Sequence, residues 1–411
     1  MMSAKATKST AAELYRFLAS LKREERLYEV IFFVTSVCNA KCRTCFYWKE
    51  LNRSGDLSLD EIKTLTRTMP SFHHLILSGG EPTLRRDLPE IVRLFSVNNH
   101  IRFLNFPTNG LKPIIARDFT RRMLVENPQL TISLNFSVDG LAQTHDRIRG
   151  VPGNFHRIER AIEMVQPLRR EWGKRLWVGI NTTICRENYR EVVPLAHYFL
   201  ERELLDGHYF QIIRGDPLDP GLKKIPGSHL RELYSDIVRI QEAYAARAFQ
   251  DDDPRARWLK RMIYVGTLNF HHRIQFANYT CGASWPMPCT AGQTSIVIDY
   301  NGDVRACELR GSLGNLRDYD LDFRAFWQSV VRAREVEQIE RDRCFCTHVC
   351  FIHDSMRFSL RAQLLEVPKS YMMRHAWQRP RWPSPLARRQ RSARSRHAPL
   401  SAPAPPTSPS E

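Results

Sequence analysis

The stretch that decides the fold runs from Glu29 to Cys45 and reads EVIFFVTSVCNAKCRTC. Its first part is a run of β-branched and aromatic residues, which is typical of a buried strand. Its second part places Cys38, Cys42 and Cys45 in a C-x3-C-x2-C spacing directly after that strand. Three thiolates on one short loop can hold three irons of a cubane cluster and leave the fourth iron open. The spacing therefore predicts an iron–sulfur site with one open corner.

Two other interpretations of this loop compete with the open cluster. The three cysteines are structural core residues in the first. In the second they bind zinc, which normally takes four ligands, and His73 or His74 supplies the fourth.

Further strands and helices alternate along the chain after this loop. Apolar runs predict six strands, at residues 29–34, 74–78, 101–107, 130–138, 176–184 and 208–213. Helical patterns lie between them, at residues 58–69, 88–97, 118–126, 154–166 and 189–201, and Ser58 with Glu61 forms a capping box at the first. Strands that alternate with helices pair in parallel through right-handed crossovers, so a (β/α) barrel or an open doubly wound sheet is expected.

The unusual residues all follow strand ends. They are the three cysteines, Gly79-Gly80-Glu81, Thr108-Asn109-Gly110 and Asp139-Gly140. Parallel α/β folds carry their chemistry at the carboxyl ends of the strands. We therefore expect an α/β fold built as a partial (β/α)6 TIM-like barrel.

These motifs resemble the radical S-adenosylmethionine (SAM) superfamily over residues 29–215. The cysteine loop matches the family's C-x3-C-x2-C, and the matching motifs that follow are Ser78-Gly79-Gly80-Glu81-Pro82, Thr108-Asn109-Gly110, Ser137-Val-Asp139-Gly140 and His145-Asp-Arg-Ile-Arg149-Gly150. The resemblance implies a [4Fe–4S] cluster on the three cysteines, with SAM bound at its open iron.

The resemblance also implies residues that contact SAM. Glu81 and the backbone of Gly79 and Gly80 would hold the amino group of its methionine, in keeping with carboxylate–ammonium pairing and with the close backbone approach that glycine permits. Positions matching Ser137 and Arg149 contact the carboxylate or ribose in relatives, and Arg149 suits a carboxylate clamp.

Two further SAM contacts have a local interpretation beside the functional one. Asn181 is either a SAM contact or a strand residue bonded locally. Relatives usually carry an aromatic where this chain has Thr44, and Phe46-Tyr47-Trp48 follow instead. Tyr47 is the candidate for packing on the adenine, with ordinary core packing as the alternative.

A second cysteine unit follows Cys281. Its cysteines are Cys289, Cys307, Cys344, Cys346 and Cys350, and Gly302 precedes Cys307. Two short apolar runs at residues 295–298 and 304–307, separated by Asn301-Gly302, predict a hairpin within it. The unit resembles the SPASM or twitch extension of radical SAM proteins, which binds one or two auxiliary [4Fe–4S] clusters. Five cysteines suffice for one cluster. We expect Cys289 and Cys307 as ligands with two of the last three, of which Cys346 and Cys350 are favoured.

A structural zinc is the alternative for this unit. It would take Cys289, Cys307, Cys346 and Cys350, or His348 with three cysteines. Cys185 stands alone in a strand pattern and is expected in the core.

The domain organisation follows from these patterns. We expect an N-terminal helical lead at 1–28, the core barrel at 29–227, a basic helical connector at 228–280, the auxiliary cluster domain at 281–378 and a disordered tail at 379–411. The tail holds seven of the arginines behind the net charge of +17. Such charge suits nucleic acid, anionic lipid or an acidic substrate, or else a solvated surface.

The resulting hypothesis is a cytoplasmic radical SAM enzyme without a membrane span. Its substrate would be a small molecule or a ribosomal peptide or protein, and a reductase or flavodoxin-type protein would donate the electron. The alternative is a non-catalytic iron–sulfur or zinc protein that binds nucleic acid through its basic surface.

Overall fold

The structure is a computed structural model and describes residues 27–377. The predicted tail at 379–411 lies outside the described residues. All but the last two residues of the predicted N-terminal lead at 1–28 lie outside them as well.

A single open sheet organises the described part of the chain. Its strands are β1 (Glu29–Thr35), β2 (His74–Gly79), β3 (Phe103–Thr108), β4 (Thr131–Ser137), β5 (Leu176–Ile184), β6 (Gly207–Ile212), β7 (Ser295–Ile298), β8 (Asp303–Arg305) and β9 (Gly314–Asn315). They lie in the order β6-β5-β4-β3-β2-β1-β7-β8-β9, and β1 to β6 are all parallel.

The strand order decides between the two expected architectures. Each of the first six strands lies beside its predecessor, so the sheet winds in one direction as in a barrel and is not doubly wound. Strand β6 remains at one edge and the sheet does not close. The predicted partial (β/α)6 barrel is confirmed.

Helices connect the parallel strands. They are α1 (Leu59–Thr68), α2 (Leu88–Asn99), α3 (Pro113–Glu126), α4 (Ala142–Arg149), α5 (Asn154–Trp172) and α6 (Val192–Glu201). The predicted capping box of α1 is confirmed, because Ser58 accepts from the Glu61 amide and Glu61 accepts from the Ser58 amide.

Helices α3 and α5 differ from their predicted bounds, and one further helix was not predicted. Helix α3 begins at Pro113, before the predicted start at 118, because proline fits the first turn of a helix. Helix α5 passes through Pro167 and ends at Trp172. Helix α4 was not predicted, because its sequence was interpreted only as a SAM motif.

The C-terminal cysteine unit extends the same sheet. Helices α7 (Gly227–Ala248) and α8 (Pro254–Cys281) lead into it, as the predicted helical connector. Strand β7 then pairs in parallel with β1, and β7 and β8 form the predicted hairpin. The remaining helices are α9 (Phe323–Trp327), α10 (Val330–Arg341), α11 (Val349–Arg357) and α12 (Val367–Met372), with a π-helix at Ala362–Glu366.

Strand β1 is buried on both faces. Val30, Phe32 and Val34 join the large core beneath the connecting helices. Ile31 and Phe33 join a second core with residues of α8, α11 and the cysteine-bearing loops. Full burial of each such side chain contributes about 1.5–3 kcal/mol. The C-terminal unit therefore covers the inner face of the half-barrel.

Two further observations concern the lone cysteine Cys185 and the character of the helices. Cys185 is buried in the main core, as predicted. No helix between residues 27 and 377 has the length and apolar character needed to cross a membrane.

We predict that Ser58→Ala lowers the free energy of unfolding by about 1 kcal/mol, because the first turn of α1 loses its cap. Urea unfolding measures the change. Ser228→Ala is the control, since Ser228 is exposed and its hydroxyl makes only a 3.5 Å contact with the His229 ring. Equal midpoints for the two variants would contradict the prediction.

Candidate active site and auxiliary cysteine unit

The three loop cysteines line one cavity of about 500 Å³ at the carboxyl edge of the sheet. Cys38, Cys42 and Cys45 are all partly buried free thiols on its wall. Burial raises the pKa of Cys38 to about 12 and that of Cys45 to about 11. The thiols therefore share one largely shielded space.

Strand β2 fixes the start of the cysteine loop through backbone hydrogen bonds. The Gly80 amide donates to the Thr35 carbonyl at 2.7 Å, and the Glu81 amide donates to the Val37 carbonyl at 2.8 Å. A Cβ atom at Gly80 would lie 2.1 Å from the Val37 oxygen, and Gly79 has φ +101°. Only glycine allows the two loops to approach this closely.

Helix α4 fixes the middle of the same loop. The Arg43 amide donates to the Ile148 carbonyl at 2.9 Å, and the Lys41 amide donates to the Arg149 carbonyl at 3.3 Å. A Cβ atom at Gly150 would lie 2.6 Å from the Lys41 oxygen. The end of α4 and the cysteine loop are therefore in direct contact.

The Glu81 carboxylate links two of the predicted motifs. It is 2 % exposed and accepts from the Thr83 amide and hydroxyl, from the Thr108 hydroxyl and from the Asn109 amide, at 2.7–3.1 Å. Burial raises the pKa of Glu81, and these donors oppose the rise. The structure thus shows Glu81 holding the β3 loop, and its contact with the amino group of SAM stays a prediction.

Asn109 carries this network back to the cysteines. Its side-chain amide donates to the Asn39 side-chain oxygen at 2.8 Å, inside the cysteine loop. The motif that follows β3 therefore supports the loop that follows β1.

Arg149 lies beside the cysteines and is mostly buried. Its Nε lies 2.9 Å from the Asp139 carboxylate and its Nη1 lies 3.7 Å from the Cys42 sulfur. Asp139 also accepts from the Thr183 amide at 2.8 Å. The role of Arg149 as a clamp on the SAM carboxylate stays a prediction.

Ser137 and Asn181 are neighbours across the β4–β5 pair. Both line the cavity that the three cysteines share. Their position agrees with SAM contacts, which stay a prediction.

Tyr47 ties the cysteine loop to the C-terminal unit. Its hydroxyl donates to Asp299 at 2.9 Å, and its ring lies 4.5 Å from the Phe33 ring. Burial raises the pKa of Asp299 to about 6, and the nearby Arg305 opposes the rise. Tyr47 is a core residue on the cavity wall, and its contact with adenine stays a prediction.

Four of the five C-terminal cysteines, Cys289, Cys307, Cys344 and Cys346, form a second group. Burial raises the pKa of Cys289 and of Cys346 to about 12, and the nearby Cys344 thiol adds to both. Burial also raises the pKa of Cys307, with Cys346 and Cys289 contributing. Cys350 lies instead on the wall of the cavity that holds the loop cysteines. The auxiliary unit thus borders the candidate active site.

His348 does not suit the zinc alternative. Its Nε2 makes a short contact with Glu308, and its Nδ1 accepts from the Cys350 amide at 3.3 Å. Both ring nitrogens are therefore engaged. Within residues 27–377, no three His, Cys, Asp or Glu side chains are arranged to hold one metal ion. A cubane differs from such a site because its cysteines bond different irons.

Sequence reasoning missed the residues that join the two cysteine units. Arg214 lies on the cavity wall, pairs with Glu308 and contacts Gln211. The position of Arg214 directly after β6 could have marked it as a candidate site residue. Its pairing with Glu308 could not be predicted, because Glu308 lies far along the chain.

Comparisons with known proteins agree with this site. The family model described as Radical SAM superfamily matches residues 32–198, which hold the cysteine loop and the motifs up to α6. A second model, SPASM, described as an iron–sulfur cluster-binding domain, matches residues 289–350. Residues 32–198 therefore form a radical SAM domain, and residues 289–350 form a SPASM-type iron–sulfur domain. These two domains imply SAM and a [4Fe–4S] cluster as cofactors.

Several curated relatives are similar over the core. The chain is 30 % identical to the Fe-coproporphyrin III synthase of Methanosarcina barkeri, over 42 % of this chain and 41 % of that protein. It is 30 % identical to the AdoMet-dependent heme synthase of the same organism, over 45 % and 52 %. It is 34 % identical to the GTP 3',8-cyclase of Klebsiella pneumoniae, over 34 % and 42 %. The chain spans about half the length of these relatives.

Solved structures share the fold. The structure of anSMEcpe with bound AdoMet and the Cp18Cys peptide has a TM-score of 0.51 and 18 % identity, covering 86 % of this chain and 97 % of that chain. A histidine-tagged form of anSMEcpe with bound AdoMet has a TM-score of 0.53 and 16 % identity, covering 87 % and 98 %. The architecture therefore extends through the C-terminal unit.

We predict that Gly80→Ala prevents the loop cysteines from holding iron, because the new methyl group would overlap the Val37 carbonyl. Iron analysis after anaerobic reconstitution should show a loss of about four irons per chain. Gly311→Ala is the matched control, since nothing lies within 4 Å of its added Cβ. Full iron content in Gly80→Ala would refute the proposed contact.

Proposed function

We propose that this protein is an enzyme that cleaves SAM reductively and removes a hydrogen atom from its substrate. The observation that carries the proposal is the convergence of Cys38, Cys42 and Cys45 on one cavity with the glycine turn of β2. When bound, a [4Fe–4S] cluster with one open iron supplies the electron that splits SAM into methionine and a 5'-deoxyadenosyl radical.

The donor set fits this cofactor. The three thiols of the loop reach the cavity and no fourth cysteine lies on the loop, so one iron would stay open. The other cysteine on the cavity wall, Cys350, belongs to the C-terminal unit. Arg149 places a positive charge near the Cys42 sulfur, with its Nη1 at 3.7 Å. The chain thus offers both the ligands and a neighbouring compensating charge.

The surrounding residues would orient SAM and exclude water. The turn at Gly79 and Gly80 leaves room for a ligand backbone, and Glu81 holds that turn against the β3 loop. Phe33 and Ile76 give the cavity apolar walls. A dry, preformed site limits side reactions of a radical.

The C-terminal unit would hold one auxiliary [4Fe–4S] cluster. We assign Cys289 and Cys307 as ligands with two of Cys344, Cys346 and Cys350, and we keep residues 281–378 as this domain and 29–227 as the SAM core. Because Cys350 and Glu308, the residue after Cys307, both line the shared cavity, the auxiliary cluster would stand beside the substrate space. That position suits transfer of an electron from a substrate radical.

The substrate class proposed is a small molecule or a peptide. Amide and hydroxyl side chains line the inner face of the half-barrel beyond the cysteines, namely Asn105, Ser133, Asn135, Thr183 and Gln211. Such groups bind polar, uncharged portions of a ligand through hydrogen bonds. The similar proteins named for haem, Fe-coproporphyrin and GTP chemistry support small molecules, and the anSMEcpe complex supports a peptide.

The electron donor and the cellular location belong to the same proposal. A flavodoxin-type protein or its reductase would deliver the electron. All ten cysteines lie in the described residues and are free, which suits a reducing cytoplasm. The nucleic-acid alternative rested on the arginine-rich tail, which lies outside the described residues.

We predict that Cys42→Ala abolishes 5'-deoxyadenosine formation from SAM under dithionite, because the cluster loses a ligand. Chromatography of the quenched reaction measures the product. The control is Cys281→Ser, whose thiol is exposed and outside both ligand sets. Product formation by Cys42→Ala at the wild-type rate, or none by the wild type, would refute the proposed activity.

We predict that Cys307→Ala lowers the iron content from about eight to about four per chain, while 5'-deoxyadenosine still forms without substrate. Iron and sulfide analysis measures the change. The same count on Cys344→Ala, Cys346→Ala and Cys350→Ala identifies the spare thiol, because that variant keeps all eight irons. An unchanged iron content in Cys307→Ala would contradict an auxiliary cluster at this position.

A further inference from the structure

One buried ion pair lies between the two cysteine units. Arg214 follows β6, and its side chain is 13 % exposed. Its Nη2 donates to Glu308 at 2.8 Å, and its Nη1 donates to the side-chain oxygen of Gln211 at 2.6 Å. Arg214 and Glu308 both lie on the wall of the cavity.

Glu308 connects this pair to the auxiliary cysteines. It follows Cys307 directly, and its carboxylate also meets His348 Nε2. His348 in turn donates its backbone amide to the Cys346 sulfur at 3.3 Å and accepts from the Cys350 amide. The Glu308 carboxylate is therefore linked to three of the five C-terminal cysteines. Cys307 precedes it in the chain, and His348 connects it to Cys346 and Cys350.

Arg214 connects the pair to the SAM-core loop. Its guanidinium carbon lies 4.6 Å from the centre of the Phe46 ring, and Phe46 follows Cys45. The segment after Arg214 runs along the same loop, where the Leu218 amide donates to the Cys45 carbonyl at 3.1 Å. The guanidinium is thus held against both units.

The charge of Arg214 lies beside thiols of both groups. Arg214, Cys45 and Cys350 all line the same cavity. No other ion pair described in residues 27–377 joins a residue next to an auxiliary cysteine to a cation at the SAM-core loop.

We propose that the Arg214–Glu308 ion pair is a positioning and charge-balancing element that sets the reduction potentials of both iron–sulfur sites. This inference rests on the proposed function for the clusters themselves. Cluster potentials depend on nearby charge, hydrogen bonds and exposure. A reduced cluster carries one more negative charge than an oxidised one, so a nearby cation raises its potential and a nearby anion lowers it.

Removal of the positive charge and removal of the negative charge should therefore shift the two reduction potentials in opposite directions. Without Arg214, the Glu308 charge stays buried and uncompensated between the clusters, and both potentials fall. Without the Glu308 charge, the guanidinium is uncompensated and both potentials rise. Low dielectric makes such effects larger here than at an exposed pair.

The experiment is a redox titration of anaerobically reconstituted protein, monitored by electron paramagnetic resonance without SAM or substrate. Arg214→Gln should shift the midpoint potentials of both clusters to more negative values by at least a tenfold change in the reduction equilibrium, which is about 59 mV. Glu308→Gln should shift both to more positive values. The double variant should return near the wild type.

The controls separate charge from packing. Arg317→Gln breaks an ion pair with Glu61 outside the cavity and should leave both potentials unchanged. Arg214→Lys keeps the charge and should stay near the wild type. If Arg214→Gln fails to assemble clusters, the midpoint potentials of Glu308→Gln and Arg214→Lys decide whether the inference holds. Unchanged potentials, or shifts of the same sign in Arg214→Gln and Glu308→Gln, would overturn the inference. A wild-type protein without two cluster signals would instead overturn the proposed function.

Discussion

The structure depends on the backbone contacts that hold the cysteine loop between two neighbours. The amides of Gly80 and Glu81 bind carbonyls at the start of the loop, and the carbonyl of Ile148 receives the amide of Arg43 in its middle. These bonds fix the backbone, so the positions of Cys38, Cys42 and Cys45 do not depend on the flexible torsions of a free loop. A preorganised ligand set costs less to order when the cofactor binds.

The same constraint explains why the C-terminal unit belongs to the site. Strand β7 pairs with β1, the strand that leads into the cysteine loop. Tyr47 and Arg214 then reach partners just after β7 and β8, which are Asp299 and Glu308. The auxiliary unit thereby covers the inner face of an open half-barrel and gives the cavity its far wall, where Cys350 lies.

Local patterns predicted much of this arrangement. The six parallel strands, the capping box at Ser58 and the hairpin of β7 and β8 all follow from short-range sequence signals. The placement of β7 beside β1 does not, because both strands are short apolar runs that any sheet edge accepts. The network of Glu81 and the partners of Arg214 likewise depend on tertiary neighbours, so their residue types alone gave no indication of the contacts.

The most direct test of the central claim is an anaerobic crystal structure of the reconstituted protein with SAM, using anomalous scattering at the iron edge. We expect a cubane cluster held by Cys38, Cys42 and Cys45, with its fourth iron facing the glycine turn of β2 and bound by SAM. A protein side chain on that fourth iron, or iron found only at the C-terminal cysteines, would contradict it.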